Sequence, residues 1–199
     1  FYEKIIKIKN NKLYYSKIEC EPFLKEKINN IEKRLNKKLP NDYSFEINLQ
    51  YVNFFEKIFE NIESFIFLLI DYGYSEKEYY LPERSSGTIQ FYKNHKKIFE
   101  SLIDQGTFDI SVSVDFSRIL RIINLYKIQL MSYTTQEQFL LNTNILENSL
   151  KISDVFARNN ILKTLLFPTD MGENFKIMIL CDRMKNDFLM KFKDYRHKL

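Results

Sequence analysis

Only four glycines occur among the 199 residues, so a glycine-rich phosphate-binding loop is excluded. There are two cysteines, Cys20 and Cys181. They stand far apart without CxxC spacing, which excludes a zinc or thiol redox motif built from them. Without a disulfide framework, a reducing compartment is expected. No GxSxG elbow and no HExxH helix occurs, so the common hydrolase signatures are missing as well. The longest apolar run, Phe65 to Ile70, is far too short to span a membrane. No secretory signal opens the chain. An initiator Met is also missing: Phe1 leads at once into strand-like sequence, and a fragment of a longer protein is expected.

What is present fits a soluble globular chain. Hydrophobic residues make up 45% and charged residues 28%, close to ordinary globular usage. The net charge of +4 is mild. Lys, Asn and Ile are spread along the chain, with none of the focused Lys/Arg clusters a nucleic-acid interface requires. Neither a nucleic acid nor a membrane is expected as a partner.

Strand-like Tyr2–Lys9, the pair Asn10-Asn11 and strand-like Leu13–Ile18 predict a β-hairpin. Glu21 to Lys38 is charged and weakly helical, and Pro40-Asn41-Asp42 breaks the chain. Phe45, Leu49, Val52, Phe55, Phe59 and Ile62 recur at helical spacing and predict one amphipathic helix with an aromatic stripe. Phe65–Ile70 predicts a strand buried on both faces, as in the middle of a parallel sheet. From Asp71 to Val114 the pattern is irregular, a length that is usually functional when it lacks structure. Asp115 is positioned to cap a helix bearing Phe116, Ile119, Leu120 and Ile123. A second strand is predicted over Lys127–Tyr133. Thr135 and Gln138 have capping-box spacing ahead of Phe139. A further helix over Asp154–Leu166 and a third strand over Asn174–Cys181 complete the pattern, with the three strands expected side by side in chain order. A tail with Phe188, Leu189, Phe192 and Tyr195 reads as amphipathic. The expected organisation is one domain over residues 1–182 and a basic tail over 183–199.

Asp71-Tyr72-Gly73-Tyr74 directly follows the apolar strand. In open α/β sheets, ligands bind outside the carboxyl ends of strands. A carboxylate and two phenols placed there can face a site, and the same residues also read as a polar strand end with a turn. Glu78, Tyr79, Tyr80, Arg84, Ser85, Ser86, Gly87, Thr88, Tyr92 and His95 follow. Such a segment can build an aromatic-walled pocket with a few fixed donors. Arg84 can pair with a carboxylate. His95 is either a proton acceptor near neutral pH or a structural hydrogen-bonding group. His197 lies in the terminal tail, and Asp109 has no candidate base beside it.

Phe65–Tyr74 resembles the fifth strand of the MidA family of methyltransferases. Glu78-Tyr-Tyr-Leu-Pro-Glu-Arg84 with Gly87-Thr88 is similar to that family's E-Y-Y-x-P-x-R-x-x-G-T, and Tyr92 and His95 match its next polar positions. Asp109-Ile-Ser-Val-Ser-Val-Asp-Phe116 resembles D-I-T-x-x-V-D-F. Tyr133-Thr-Thr-Gln-Glu-Gln-Phe-Leu140 resembles Y-T-x-Q-x-x-F-L, and Met171-Gly-Glu-Asn-Phe-Lys176 resembles M-G-E-x-F-K. The matches keep the family's order from Glu46 to Cys181.

The resemblance implies an α/β fold: the carboxy-terminal half of a Rossmann-like class I methyltransferase sheet, with helices on its faces and a β-hairpin insertion. It implies S-adenosylmethionine as cofactor. By extension from mitochondrial members, it implies an arginine of a protein substrate, such as a respiratory complex I subunit, as acceptor. A cytoplasmic location is expected, with the mitochondrial matrix as the alternative that the same extension implies. The family's glycine-rich turn after the first strand, the acidic residue after the second and its N-E-x-x-D-A-x-P segment are all absent. Asp104 to Phe108 lacks the family's proline. This chain is therefore expected to bind the cofactor weakly or not at all, with no cofactor-binding residue of its own. Residue chemistry suggests Asp71, Tyr72, Tyr74 and Tyr80 as parts of an acceptor pocket, with Arg84, Thr88 and His95 as further substrate-binding candidates. A non-catalytic protein-binding module on the same fold is the competing expectation.

Overall fold

Two adjacent asparagines, Asn10 and Asn11, both adopt positive φ (50° and 58°). That is the backbone a two-residue hairpin turn needs, and asparagine tolerates it best after glycine. The hairpin expected from the sequence forms there, with β1 (Tyr2–Lys9) paired antiparallel to β2 (Lys12–Glu19). The computed structural model describes residues 1–62, 64–99, 102–103, 105–182 and 193–199. Phe188, Leu189 and Phe192 of the expected tail, and the start of the loop at Asp104, lie outside the described residues.

The described chain divides into two compact units. One comprises Phe1–Glu46 with Tyr80–Val112, the other Ile47–Tyr79 with Ser113–Leu199. The first unit holds the hairpin and α1 (Pro22–Leu35). Proline suits the first helical turn, where its missing N–H costs nothing, and Asn36 in the left-handed region (φ 51°) ends the helix. The unit also holds a three-stranded antiparallel sheet, which requires labels for two elements of the other unit that precede it in the chain: α2 (Tyr51–Glu60) and β3 (Ile66–Tyr74), followed by the short α3 (Glu76–Tyr79). The small sheet then consists of β4 (Gln90–Lys93), β5 (Lys96–Ile98) and β6 (Asp109–Ser111), in the order β5-β4-β6. The described residues between Asp71 and Val114 thus include helical turns and short strands where the sequence suggested an irregular loop. The strands of the small sheet are three or four residues long, too short for periodicity to reveal.

The second unit contains the main sheet and core. After β3 and α3 come β7 (Val114–Asp115), α4 (Phe116–Leu125), β8 (Gln129–Thr135), α5 (Gln136–Asn142), α6 (Ile145–Ser149), α7 (Val155–Leu166) and β9 (Phe175–Cys181). The strand order is β7-β3-β9-β8. β3 runs parallel to β7 and antiparallel to β9, and β9 is antiparallel to β8. Two expectations are corrected here. The last long strand inserts between the two earlier ones, so the strands do not follow chain order. β3 is also not buried on both faces: Phe67 and Leu69 pack on the core, whereas Ile66, Leu68 and Ile70 are 54%, 45% and 47% exposed. Its alternating burial is that of a one-sided strand, which an all-apolar sequence cannot reveal.

The core lies between β3, β8 and β9 and the helices α2 and α4. Phe55, Phe116, Ile119, Ile122, Ile123, Tyr133, Met178 and Leu180 form it. The predicted stripe from Phe45 to Ile62 supplies α2, but only over Tyr51–Glu60. The Asn48 side chain accepts the Gln50 N–H (2.8 Å) and holds a turn ahead of the helix. Phe45 belongs to the first unit, where its ring meets Tyr80 edge-on. The caps read from the sequence at Asp115 and Thr135 are present, and Asp154 caps the helix predicted to start there. Asp115 Oδ1 accepts from Arg118 N–H (2.9 Å), Thr135 Oγ1 from Gln138 N–H (3.3 Å), and Asp154 Oδ1 from the Phe156 and Ala157 N–H groups. The second strand starts two residues later than predicted because Lys127, at φ 56°, still belongs to the turn that ends α4. In the described part of the tail, Tyr195 N–H donates to Tyr133 O (2.7 Å).

Candidate functional site

Strands β3, β7 and β8 point the same way and each passes directly into a helix, so their carboxyl ends share one edge of the main sheet. That edge is the expected site position in an open α/β sheet. It is rich in buried polar groups: Ser75, Glu76, Asp115, Ser117, Thr134, Thr135 and Gln136. Glu76 N–H donates to Ser117 Oγ (2.8 Å). Arg121 Nη2 donates to Glu76 Oε1 (2.9 Å) and lies 3.7 Å from Asp115 Oδ2. Burial still holds the Asp115 carboxyl above its ordinary value, with the Arg118 N–H and Arg121 pulling it back. Glu78 accepts from Ser75 N–H, Ser75 Oγ and Lys198 Nζ (3.1, 2.9 and 3.1 Å). Burial pushes the Glu78 carboxyl up, but these donors outweigh it and leave it below its usual value.

Asp71 differs from these acids. It sits in β3, on the side of Phe67 and Leu69, half-buried. Its Oδ1 accepts the N–H of Tyr72 (2.9 Å), and no Lys or Arg among the described residues forms an ion pair with it. Lys176 is directly opposite in the strand register, but its ammonium turns to the Glu173 carbonyl. Desolvation accordingly raises the Asp71 carboxyl above the usual range, only partly offset by the Tyr72 N–H. Tyr51 lies close enough for the charges of Asp115 and Asp71 to raise its phenol further after burial has done so, while the Asp115 backbone hydrogen-bonds its hydroxyl. The Arg118 guanidinium stands over the Tyr51 ring, 5.6 Å from its centre.

The sequence candidates on β3 do not share one face. Tyr72 packs edge-on against Phe175 (5.6 Å between ring centres), on the opposite side of β3 from Asp71, and Tyr74 shares the Tyr72 side by strand alternation. Tyr80, Arg84, Thr88 and His95 belong to the first unit. Tyr80 is buried against Phe45. Arg84 lies in a 3₁₀ turn (Pro82–Arg84). Thr88 donates through N–H and Oγ1 to Glu46 Oε2 (2.9 and 3.1 Å). His95 is the second residue of the exposed β4–β5 turn, at φ 60°. Tyr51, Glu76, Arg118 and Arg121 were not singled out from the sequence. Tyr51 could have been found as the polar member of the aromatic helix stripe; nothing in sequence spacing joins Arg121 to Glu76, 45 residues away.

The family described as "Putative S-adenosyl-L-methionine-dependent methyltransferase" matches residues 2–134. The chain belongs to this family. The fold is also that of a COG1565 superfamily member from Burkholderia thailandensis bound to S-adenosyl-homocysteine: TM-score 0.84 at 23% identity, covering 100% of this chain and 52% of that one. A native structure of an uncharacterized COG1565 superfamily protein from the same organism gives a TM-score of 0.82 at 23% identity, over 100% of this chain and 54% of that one. This chain therefore spans about half the length of these structural relatives. No curated protein matches.

The family's cofactor is S-adenosylmethionine, and the glycines of this chain test whether it can be held here. A Cβ on Gly73 would overlap the Val114 carbonyl and come within 2.9 Å of Phe116 Cε2, so this glycine serves strand packing. Gly172 is pressed in the same way against the Leu166 and Phe167 carbonyls, and Gly87 against the Glu46 carboxylate. Gly106 stands in open space. None belongs to a glycine-rich strand-to-helix turn of the kind that lets a backbone approach a nucleotide. The residues present do not fit the cofactor on their own. An open cavity of about 700 Å³ lies at the opposite end of β3, lined by Phe59, Phe65, Tyr126 and Asp182. Among the described residues, no His, Cys, Asp or Glu cluster could hold a metal ion, and no helix is long and apolar enough to cross a membrane.

Proposed function

We propose that this chain supplies the acceptor side of a MidA-type S-adenosylmethionine-dependent methyltransferase whose acceptor is an arginine of a protein substrate. The observation that carries this reading is Asp71, a half-buried carboxylate near the carboxyl ends of the sheet with no cation of its own among the described residues. A guanidinium stays charged at any physiological pH and binds best to a carboxylate through paired hydrogen bonds and to an aromatic face. Asp71 would neutralise such a group, and the Tyr51 ring, which the Arg118 guanidinium already faces, supports a cation-accepting surrounding.

The Glu76–Arg121–Asp115 network would act differently. Its two carboxylates share the Arg121 guanidinium, so it holds the starts of α3 and α4, whereas Asp71 has no such ion pair among the described residues. Holding the acceptor nitrogen in line is itself a large part of the rate in a direct transfer. The MidA resemblance and the S-adenosyl-homocysteine bound to the Burkholderia protein support methyl transfer as the reaction class. The same resemblance supplies a respiratory complex I subunit as the protein substrate to try first.

The test uses a polypeptide that contains this chain and is extended on its amino side, incubated with S-adenosylmethionine and arginine-containing peptides, with mass spectrometry as readout. Asp71→Asn keeps the size and removes the charge. Cofactor binding by calorimetry should persist while peptide methylation falls by at least about a hundredfold, the scale of losing a buried charged pair. Full activity in Asp71→Asn would remove Asp71 from the acceptor site.

A further inference from the structure

The β1–β2 hairpin is a sheet of its own: among the described residues no third strand lies beside β1 or β2. Its register divides alternate residues between two faces. Toward the Asn10-Asn11 turn, one face carries Ile6, Ile8, Leu13 and Tyr15, and the other carries Lys7, Lys9, Lys12 and Tyr14. The tip is therefore apolar on one side and basic on the other. Ile6 and Ile8 are 55% and 72% exposed, and Lys7, Lys9 and Lys12 are exposed too. None of these three lysines forms an ion pair among the described residues. Glu3 and Glu19 stand at the far end of the hairpin, where Glu19 is paired with Lys25 of α1.

The backbone of β1 has an open side as well. The Cys20 N–H donates to the Phe1 carbonyl (3.1 Å). Hydrogen-bonded positions alternate along an antiparallel pair, so Glu3, Ile5, Lys7 and Lys9 bond to β2 as Phe1 does. Ile6 and Ile8 then turn their N–H and C=O groups outward, which is a template for another strand. A second copy of this chain suits that edge poorly, because pairing Ile6-Lys7-Ile8-Lys9 with itself sets lysine against lysine. A lipid surface suits it poorly too. Apolar insertion and lysine contact would have to come from the same side, and here they lie on opposite faces.

We infer that the Ile6–Lys9 edge of β1 receives an extended segment of a protein partner in which apolar and acidic residues alternate. The partner's backbone pairs with the outward N–H and C=O groups of Ile6 and Ile8, the mode of strand addition. Its apolar residues lie beside Ile6 and Ile8 on one face, and its carboxylates beside Lys7 and Lys9 on the other. The lysines thereby select the partner as well as attract it: they repel a basic strand and a second copy, and leave an acidic one. The inference rests on the hairpin alone and does not require the Asp71 assignment.

The test uses the 199-residue chain and a capped, fluorescent peptide of alternating Glu and Val, about seven residues long, a common strand length. Anisotropy measures binding, and amide hydrogen exchange locates it. At saturation the Ile6 and Ile8 amides should exchange at least about tenfold more slowly, and the Lys7 amide, already bonded to β2, should not change. A peptide of the same composition with its Glu residues in one block should bind at least about tenfold more weakly, since it cannot match both faces. Lys7→Glu with Lys9→Glu should lose the Glu/Val peptide and gain the corresponding Lys/Val peptide. Lys7→Gln with Lys9→Gln serves if the reversed variant does not fold, and should lose the first peptide without gaining the second. The inference is overturned if the Glu/Val peptide does not bind, or binds without slowing Ile6 and Ile8. Equal binding of the block peptide, of oligothymidylate or of phosphatidylglycerol vesicles would also overturn it, by showing a general anion site. So would protection of Ile6 and Ile8 that rises with protein concentration in the absence of peptide, which would place a second copy on the edge. No methyl transfer is read, so failure here is distinct from failure of the acceptor site.

Discussion

Asp71 and Tyr72 are adjacent in the chain and face opposite sides of the sheet. Asp71 shares its side with Phe67, Leu69 and the region of Tyr51, whereas the Tyr72 ring packs on Phe175. The acid and the phenol therefore cannot be walls of one pocket in this strand. Under the proposed reading the acceptor goes with Asp71, and the Tyr72 ring packs on the other face.

That placement predicts an unusual stability profile. Burial raises the Asp71 carboxyl in the folded chain above its ordinary value. Between the unfolded and folded pKa values the native state holds the extra proton, so stability falls as pH rises through that window. At neutral pH the ionised Asp71 is a net burden. Asp71→Asn should therefore raise the melting temperature at pH 7, and the gain should shrink as the pH falls below about 4, the ordinary range for aspartate. Thermal unfolding followed by circular dichroism at both pH values checks this. A lower melting temperature for Asp71→Asn at pH 7 would show that the carboxylate is stabilised by something other than water. The proposed loss of methylation together with gained stability is the signature of a functional group, because a purely structural acid would lose both.

Arg121 behaves in the opposite way. It is the cation shared by Glu76 and Asp115, each 8% exposed. Replacing it with Met keeps much of the side-chain bulk and leaves two buried carboxylates side by side without that charge. The expected loss is about 3 kcal/mol, the scale for breaking a buried ion pair from one side. Chemical denaturation at pH 7 measures it. The loss should be smaller at pH 4, where Asp115, with its raised pKa, begins to take up a proton. A change under about 1 kcal/mol would place this network with solvent-screened surface pairs.

The sequence was most legible where one residue acts on its near neighbours. The caps at Asp115, Thr135 and Asp154 and the Asn10-Asn11 turn follow from backbone groups two or three residues away. The α/β class was legible too, since helix and strand periods differ clearly. Strand order was not. Whether β9 lies outside β8 or between it and β3 depends on which faces the helices cover, and no local pattern states that. The exposure of Ile66, Leu68 and Ile70 was illegible for the same reason: an unbroken apolar run gives no sign of which face is covered. Motif matching placed Asp71, Tyr80 and Thr88 in one string, yet they fall in two compact units.

Thr88 shows this most clearly. It was a substrate-binding candidate, but its N–H and hydroxyl both donate to Glu46, with the Ile89 N–H (3.4 Å) adding a third donor. Gly87, at φ 86°, lies so close that any side chain there would collide with the same carboxylate. Glu46 is thus an acceptor that ties the segment after the 3₁₀ turn to the chain ahead of α2, and Thr88 is a positioning residue for that loop. Glu46→Ala should speed exchange of the Thr88 and Ile89 amides by about tenfold, the equivalent of one lost charge-assisted hydrogen bond of roughly 1.4 kcal/mol. Thr88→Val should lose the hydroxyl contribution only and change those rates less. If Glu46→Ala left both amides as slow as before, the carboxylate would not hold the loop, and Thr88 would return as a candidate for binding substrate.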